Sequence, residues 1–157
     1  MKFPSRRVAA IALLMFALLP RSPLPADQIL TIDTTQVSFL TPTASTYDTG
    51  HVEKLSGTRL TVDSTVDWKL TVLGTSTLFT CTGASCWSAK PRGDVDWREA
   101  GGSYQALSGT ATTVTTGLAT TPGTEDVTMD YRIQLDWTQD APGSYDYNSV
   151  QYVLSAL

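Results

Sequence analysis

The stretch Asp126-Val-Thr-Met-Asp-Tyr-Arg-Ile-Gln-Leu-Asp-Trp137 alternates without a break. Val127, Met129, Tyr131, Ile133, Leu135 and Trp137 share one parity, and Asp126, Thr128, Asp130, Arg132, Gln134 and Asp136 share the other. Successive side chains of a strand point to opposite faces, so the spacing predicts a strand with one apolar and one wet face. A helix would scatter both sets around its circumference. On this reading Trp137 belongs to the core, at the strand's end.

The pattern continues outward on both sides. Toward the C-terminus, Pro142-Gly143 suits the central positions of a type II turn. Tyr145 to Ala156 then resumes strand character, with Val150, Tyr152 and Leu154 on one face, so the two runs are expected to form a terminal hairpin. Toward the N-terminus, Trp68, Leu70 and Val72 alternate with Lys69 and Thr71, and Leu60 and Val62 with Thr61 and Asp63. Leu30 with Ile32 and Val37 with Phe39 suggest two short N-terminal strands, and the Thr-rich run from Thr110 to Leu118 suits a sheet edge. Turn residues recur between these runs: Thr49-Gly50, Ser56-Gly57, Gly101-Gly102, Ser108-Gly109, Pro122-Gly123. The expectation is an all-β, immunoglobulin-like antiparallel sandwich of roughly seven to nine strands in one domain.

The first 26 residues are read separately. Lys2, Arg6 and Arg7 precede the uncharged run Val8–Leu19, and a Pro-rich stretch follows. The run is too short to span a bilayer and fits a secretory signal peptide, residues 1–26, with cleavage after Ala26; an uncleaved N-terminal anchor is the alternative. Removing Lys2, Arg6, Arg7 and Arg21 takes the eleven basic residues to seven against fifteen acidic ones, a formal charge of −8 over residues 27–157. That balance argues against a nucleic-acid partner. No second long apolar run follows, so no membrane span is expected in the mature chain. The chain is read as exported: extracellular, at the cell surface or periplasmic.

Few residues invite chemistry. His51 is the single histidine, and no nucleophile motif accompanies it, so no catalytic residue is assigned and the protein is read as a non-enzyme without a cofactor. Asp94, Asp96 and Glu99 offer oxygen ligands of the type calcium takes, though without EF-hand spacing; Glu125, Asp126 and Asp130 form a second acidic group. Trp68, on an apolar strand face, is read as core. Trp87, Trp97, Tyr145 and Tyr147 lie beside predicted loops and are the candidate ligand-facing aromatics, of the kind that stack on sugars.

Trp68-Lys69-Leu70-Thr71-Val72, followed by Leu78-Phe79, resembles the first signature of the WxL cell-surface domains. Tyr131-Arg-Ile-Gln-Leu135-Asp-Trp137-Thr-Gln-Asp-Ala-Pro142 resembles their second, although Trp137-Thr138-Gln139 lacks the Leu. The resemblance implies an extracellular β-sandwich held non-covalently on the cell wall, with wall polysaccharide or other surface proteins as partners. Two other functions fit the same residues: a pilin or coat subunit assembling by strand exchange, and a carbohydrate-binding module.

Cys81-Thr-Gly-Ala-Ser-Cys86 carries the two cysteines, and in an exported protein they are expected to pair. Five residues of one extended strand span roughly 17 Å. A disulfide tolerates about 7 Å between Cα atoms, so the chain must turn back, at Gly83-Ala84, and clamp a hairpin tip. Thiol titration of the denatured, unreduced protein should find no reactive thiol; two would refute the pairing.

Overall fold

The computed structural model describes residues 27–157 apart from 84, 85, 141 and 142. The signal peptide assigned to residues 1–26 lies outside this range, as does part of the expected Pro142-Gly143 turn. The described residues form an all-β sandwich of antiparallel sheets. In chain order the strands are β1 (Gln28–Ile32), β2 (His51–Ser64), β3 (Trp68–Gly74), β4 (Thr80–Thr82), β5 (Val95–Glu99), β6 (Gln105–Ala106), β7 (Thr112–Gly117), β8 (Glu125–Gln134), β9 (Ser144–Asp146) and β10 (Val150–Ala156). This is one strand more than the upper expectation, because short pieces such as β6 and β9 carry no pattern of their own. A single helical turn, α1 (Ala44–Asp48), precedes β2, and a 3₁₀ turn over Arg92–Asp94 leads into β5.

One sheet runs β1-β2-β8-β5-β6, the other β10-β3-β7, and β4 pairs with β9 in a small ribbon. The inward residues of β2 (Leu60, Val62), β8 (Val127, Met129, Tyr131) and β5 (Val95, Trp97) meet Trp68, Leu70 and Val72 of β3, with Phe79 and Leu107 closing the core. The Thr-rich run forms β7 at the edge of the smaller sheet, where β-branched side chains suit a strand with one solvated face.

Three expectations are corrected. The terminal hairpin does not form: β8 lies between β2 and β5, while β10 pairs with β3 in the opposite sheet. The two runs instead turn their apolar faces toward each other across the core, where the hydroxyls of Tyr131 and Tyr152 meet. The run expected from Tyr145 to Ala156 breaks between β9 and β10, where Tyr147 turns aside to donate to the Ser76 carbonyl at 2.6 Å. Second, β8 ends at Gln134, so Trp137 is not core but 61% exposed, stacked on Tyr47 with ring centroids 4.3 Å apart. A closed turn takes over from the ladder: the Asp140 N–H donates to the Asp136 carbonyl at 2.8 Å, and the Asp136 N–H donates to Asp140 Oδ2 at 2.8 Å. Third, Val37 and Phe39 lie in a segment that joins no sheet.

Close approach fixes two glycines. A bulge in β2 between Lys54 and Thr58 places Gly57 under the Tyr131 ring, where an added Cβ would come within 2.8 Å of it. Gly117 of β7 faces Trp68, its register partner, and a Cβ there would fall 2.4 Å from the indole. Trp68 is fully buried, so it cannot give way without repacking the core. Gly117→Ala should destabilise the fold by about 1–3 kcal/mol, the usual range for overpacking. Gly93→Ala, where an added Cβ meets nothing within 4 Å, is the control. Urea midpoints of the two variants compare them directly.

Candidate functional site

Lys90 carries no hydrophobic pattern, yet its side chain is only 2% exposed. Removing an ammonium from water costs several kcal/mol unless partners replace the lost hydration. Here Nζ donates to both oxygens of Asp140 at 2.8 Å, to Asp94 Oδ2 at 2.9 Å and to the Gln134 carbonyl at 2.8 Å. Each partner is delivered by a different device. Asp94 sits in the 3₁₀ turn four residues on, Gln134 ends β8, and Asp140 is held by the turn that follows β8. Phe79, Trp87 and Tyr145 surround the ammonium, with ring centroids 5.8, 5.8 and 5.9 Å away. These faces attract a cation and exclude water from it.

The Cys81–Cys86 disulfide bears on the same cluster. Its Cα atoms are 6.1 Å apart, within the expected limit, and Gly83 adopts a φ of 139°, while Ala84 of the expected turn lies outside the described residues. The hairpin itself is different from the one expected: β4 pairs with β9, with Cys81 opposite Tyr145. The bridge therefore ties β4 to the start of the loop that carries Trp87 and Lys90. The Trp87 N–H donates to the Tyr145 hydroxyl at 2.9 Å, and Gly143 lies so close that a Cβ there would stand 2.4 Å from Cys86 Cβ.

Lys90 and Asp140 are among the residues that line a cavity of about 920 Å³. Val95, Tyr131 and Ile133 line it from the larger sheet, and Val150 and Tyr152 from the smaller one. Residues 34–42, which enter no strand, line a further side, and Gly143 to Asn148 another. Its walls mix apolar groups with the hydroxyls of Thr34, Thr35, Ser38, Tyr47 and Ser144.

The outer face of the larger sheet holds a second polar array. Arg98 of β5 faces its register partner Asp130 of β8, with Nε to Oδ2 at 2.9 Å. Asp96 faces Arg132 in the same ladder, with Arg132 Nε donating to Oδ2 at 2.7 Å and the Gln134 amide donating to the same oxygen. The Tyr104 ring lies over both guanidinium groups, 4.2 Å from that of Arg98 and 4.4 Å from that of Arg132, and its hydroxyl donates to Glu53 at 2.6 Å. Asp130 also accepts the Ser56 N–H at 2.8 Å, which holds the β2 bulge in place. The parity that predicts a wet face is correct, but the neighbouring strands supply partners that bury Asp96 and Asp130.

The candidate residues divide accordingly. Tyr145 and Tyr147 line the cavity, and Trp87 stands beside Lys90. Trp97 is corrected: it is 2% exposed in the core, because Val95 and Trp97 share the inner parity of β5. That alternation is present in Asp94-Val-Asp96-Trp-Arg and gives the signal for it. The acids proposed for calcium diverge: Asp94 binds Lys90, Asp96 binds Arg132, and Glu99 is exposed at the end of β5. Asp126 of the second group pairs with Arg59 and Thr61, and these hydrogen bonds, Arg59's first, hold its carboxyl below the usual range. No three His, Cys, Asp or Glu side chains gather in a metal-holding group among the described residues. His51 Nδ1 lies 3.0 Å from the Thr49 carbonyl, outside both arrays. Lys90, Asp140 and Tyr104 carried no sequence signal beyond the i,i+4 spacing of Lys90 and Asp94.

Comparison with known proteins adds no assignment: no protein-family model matches the chain, and no curated protein matches it significantly. Nor is any helix among the described residues long and apolar enough to cross a membrane. What the fold and site define is an all-β sandwich with a disulfide-tied loop and a buried lysine–aspartate cluster.

Five of the six tyrosines, Tyr47, Tyr104, Tyr131, Tyr147 and Tyr152, have hydroxyls raised above the ordinary tyrosine range, in each case chiefly by desolvation. The anion of Glu53 raises that of Tyr104 further. The folded state therefore keeps protons that the unfolded chain loses above about pH 10. Stability from these groups is complete below that pH and falls as pH rises through it. An alkaline titration should show most tyrosinate absorbance appearing together with loss of circular dichroism. Smooth ionisation of the folded protein from pH 10 would contradict the burial.

Proposed function

We propose that the protein is an exported, non-enzymatic structural or adhesive β-sandwich of the cell surface, with cell-wall polymer as its partner. One observation carries this reading. The buried charged side chains, Lys90, Asp96, Asp130 and Asp140, are each bound to an opposite charge from a separate part of the chain. Such groups serve as ties between strands and loops, each already engaged with a partner in the protein. The disulfide suits an oxidising compartment, and the Thr-rich, β-only architecture suits a chain exposed outside the cell. The WxL-like signatures supply wall polysaccharide as the specific partner to test. Immunoglobulin-like topology belongs to this proposal as well.

A second reading, a carbohydrate-binding module, is favoured by one feature. Tyr145 and Tyr147 both line the inter-sheet cavity, and hydroxyl side chains accompany them. Assembly by strand exchange draws less support, because β10 is already paired along its seven residues with β3.

Sedimentation of the purified protein with isolated cell walls tests the first reading. Retention well above that of an unrelated acidic domain is expected, and retention no better than that control would sink it. Adding soluble wall oligosaccharide separates the two readings: release of the protein together with quenched aromatic fluorescence would favour the cavity as the binding site.

A further inference from the structure

We propose that Lys90 and Asp140 condense to an intramolecular isopeptide bond, with Asp94 as the catalytic proton carrier. The inference is independent of the surface role and goes beyond it: it assigns a covalent cross-link to the buried cluster.

A lysine amine and a carboxylic acid form an amide with loss of water, and no other reactant is consumed. Such pairs do not react in bulk water, where the ion pair is hydrated and the partners diffuse apart. Fixing them in contact replaces that encounter with a unimolecular step. Here Nζ lies 2.8 Å from both oxygens of Asp140, and both side chains are only 2% exposed. Phe79, Trp87 and Tyr145 pack around Nζ and, with this burial, leave it little contact with water. Exclusion of water favours condensation and withholds the reagent for the reverse reaction.

The surroundings provide for each step. One proton first passes from Nζ to Asp140 Oδ1 along their hydrogen bond, giving a neutral amine and a neutral acid. The nitrogen lone pair then attacks Cγ of Asp140, and the C=O π pair moves onto Oδ2. That oxygen already accepts the Asp136 N–H at 2.8 Å, a donor placed where negative charge develops. Asp94 Oδ2, 2.9 Å from Nζ, takes a proton from the nitrogen and passes it to the Oδ1 hydroxyl. The Cγ–Oδ1 bond breaks, the C=O bond re-forms, and Oδ1 leaves as water. Asp94 ends as the carboxylate it began as.

The product also fits. The new amide keeps one N–H, and the Gln134 carbonyl already lies 2.8 Å from that nitrogen. Its carbonyl oxygen keeps the Asp136 N–H. A simple buried ion pair needs one carboxylate for one ammonium, whereas this cluster sets two against Lys90, which leaves one to carry a proton while the other reacts.

Intact mass spectrometry of the purified full chain, reduced and alkylated, tests the proposal against the mass calculated from the N-terminus the protein carries. The expected result is a deficit of one water. Fragmentation should place it on a branched peptide joining Lys90 to Asp140. Asp94→Asn and Lys90→Met, checked for folding by circular dichroism, should recover the full sequence mass. Absence of the deficit in the wild-type protein would overturn the cross-link, whatever the variants do. So would a deficit confined to one linear peptide, as a cyclic imide would give. An Asp94→Asn protein cross-linked as completely as wild type would overturn the role given to Asp94.

Discussion

A strand cannot send neighbouring side chains to the same side, and β8 puts that constraint to use on both of its faces. Its inner parity supplies Val127, Met129 and Tyr131 to the core. Its outer parity supplies Asp130 and Arg132 to the charge array. Because β8 lies between β2 and β5, both sets meet partners from either neighbour. A slip of one residue would exchange the two sets and place carboxylates in the core, so register is enforced twice, by packing inside and by ion pairs outside.

The same strand sets up the Lys90 cluster by where it stops. Gln134 is its last residue, and its carbonyl is free to accept from Lys90 rather than from a ladder partner. The chain then closes the Asp136–Asp140 turn, which aims the Asp140 carboxylate inward and turns Trp137 outward onto Tyr47. The exposure of Trp137 and the burial of Asp140 are thus two results of one local event. On the other side of the cluster, β5 follows directly on the 3₁₀ turn that presents Asp94.

The sequence told most where the side chains themselves alternate. The strand character of β8, β3 and the second half of β2 follows from parity, as does the edge position of the Thr-rich β7. Partner choice was less legible. The apolar faces of β8 and β10 are equally consistent with pairing side by side or with packing face to face, and only the opposing sheet decides. Trp97 was readable from its alternation with Asp96 but was masked by the surrounding charge. Lys90 and Asp140 were not readable, because a buried charge is defined by what surrounds it in space: here Phe79, Trp87 and Tyr145, up to 55 residues away along the chain from Lys90.

The disulfide closes only a short loop, so its effect on the unfolded chain is modest. Its position gives it a larger consequence. By tying β4 to the first residue of the loop that ends in Lys90, it couples a redox equilibrium to the burial of a charge. With both thiols reduced, and before any amide joins Lys90 to Asp140, the loop that carries the ammonium is held by non-covalent contacts alone. Oxidation removes that freedom at the point where an ammonium must be kept from water, so the compartment's thiol–disulfide poise helps set how firmly the lysine is sequestered.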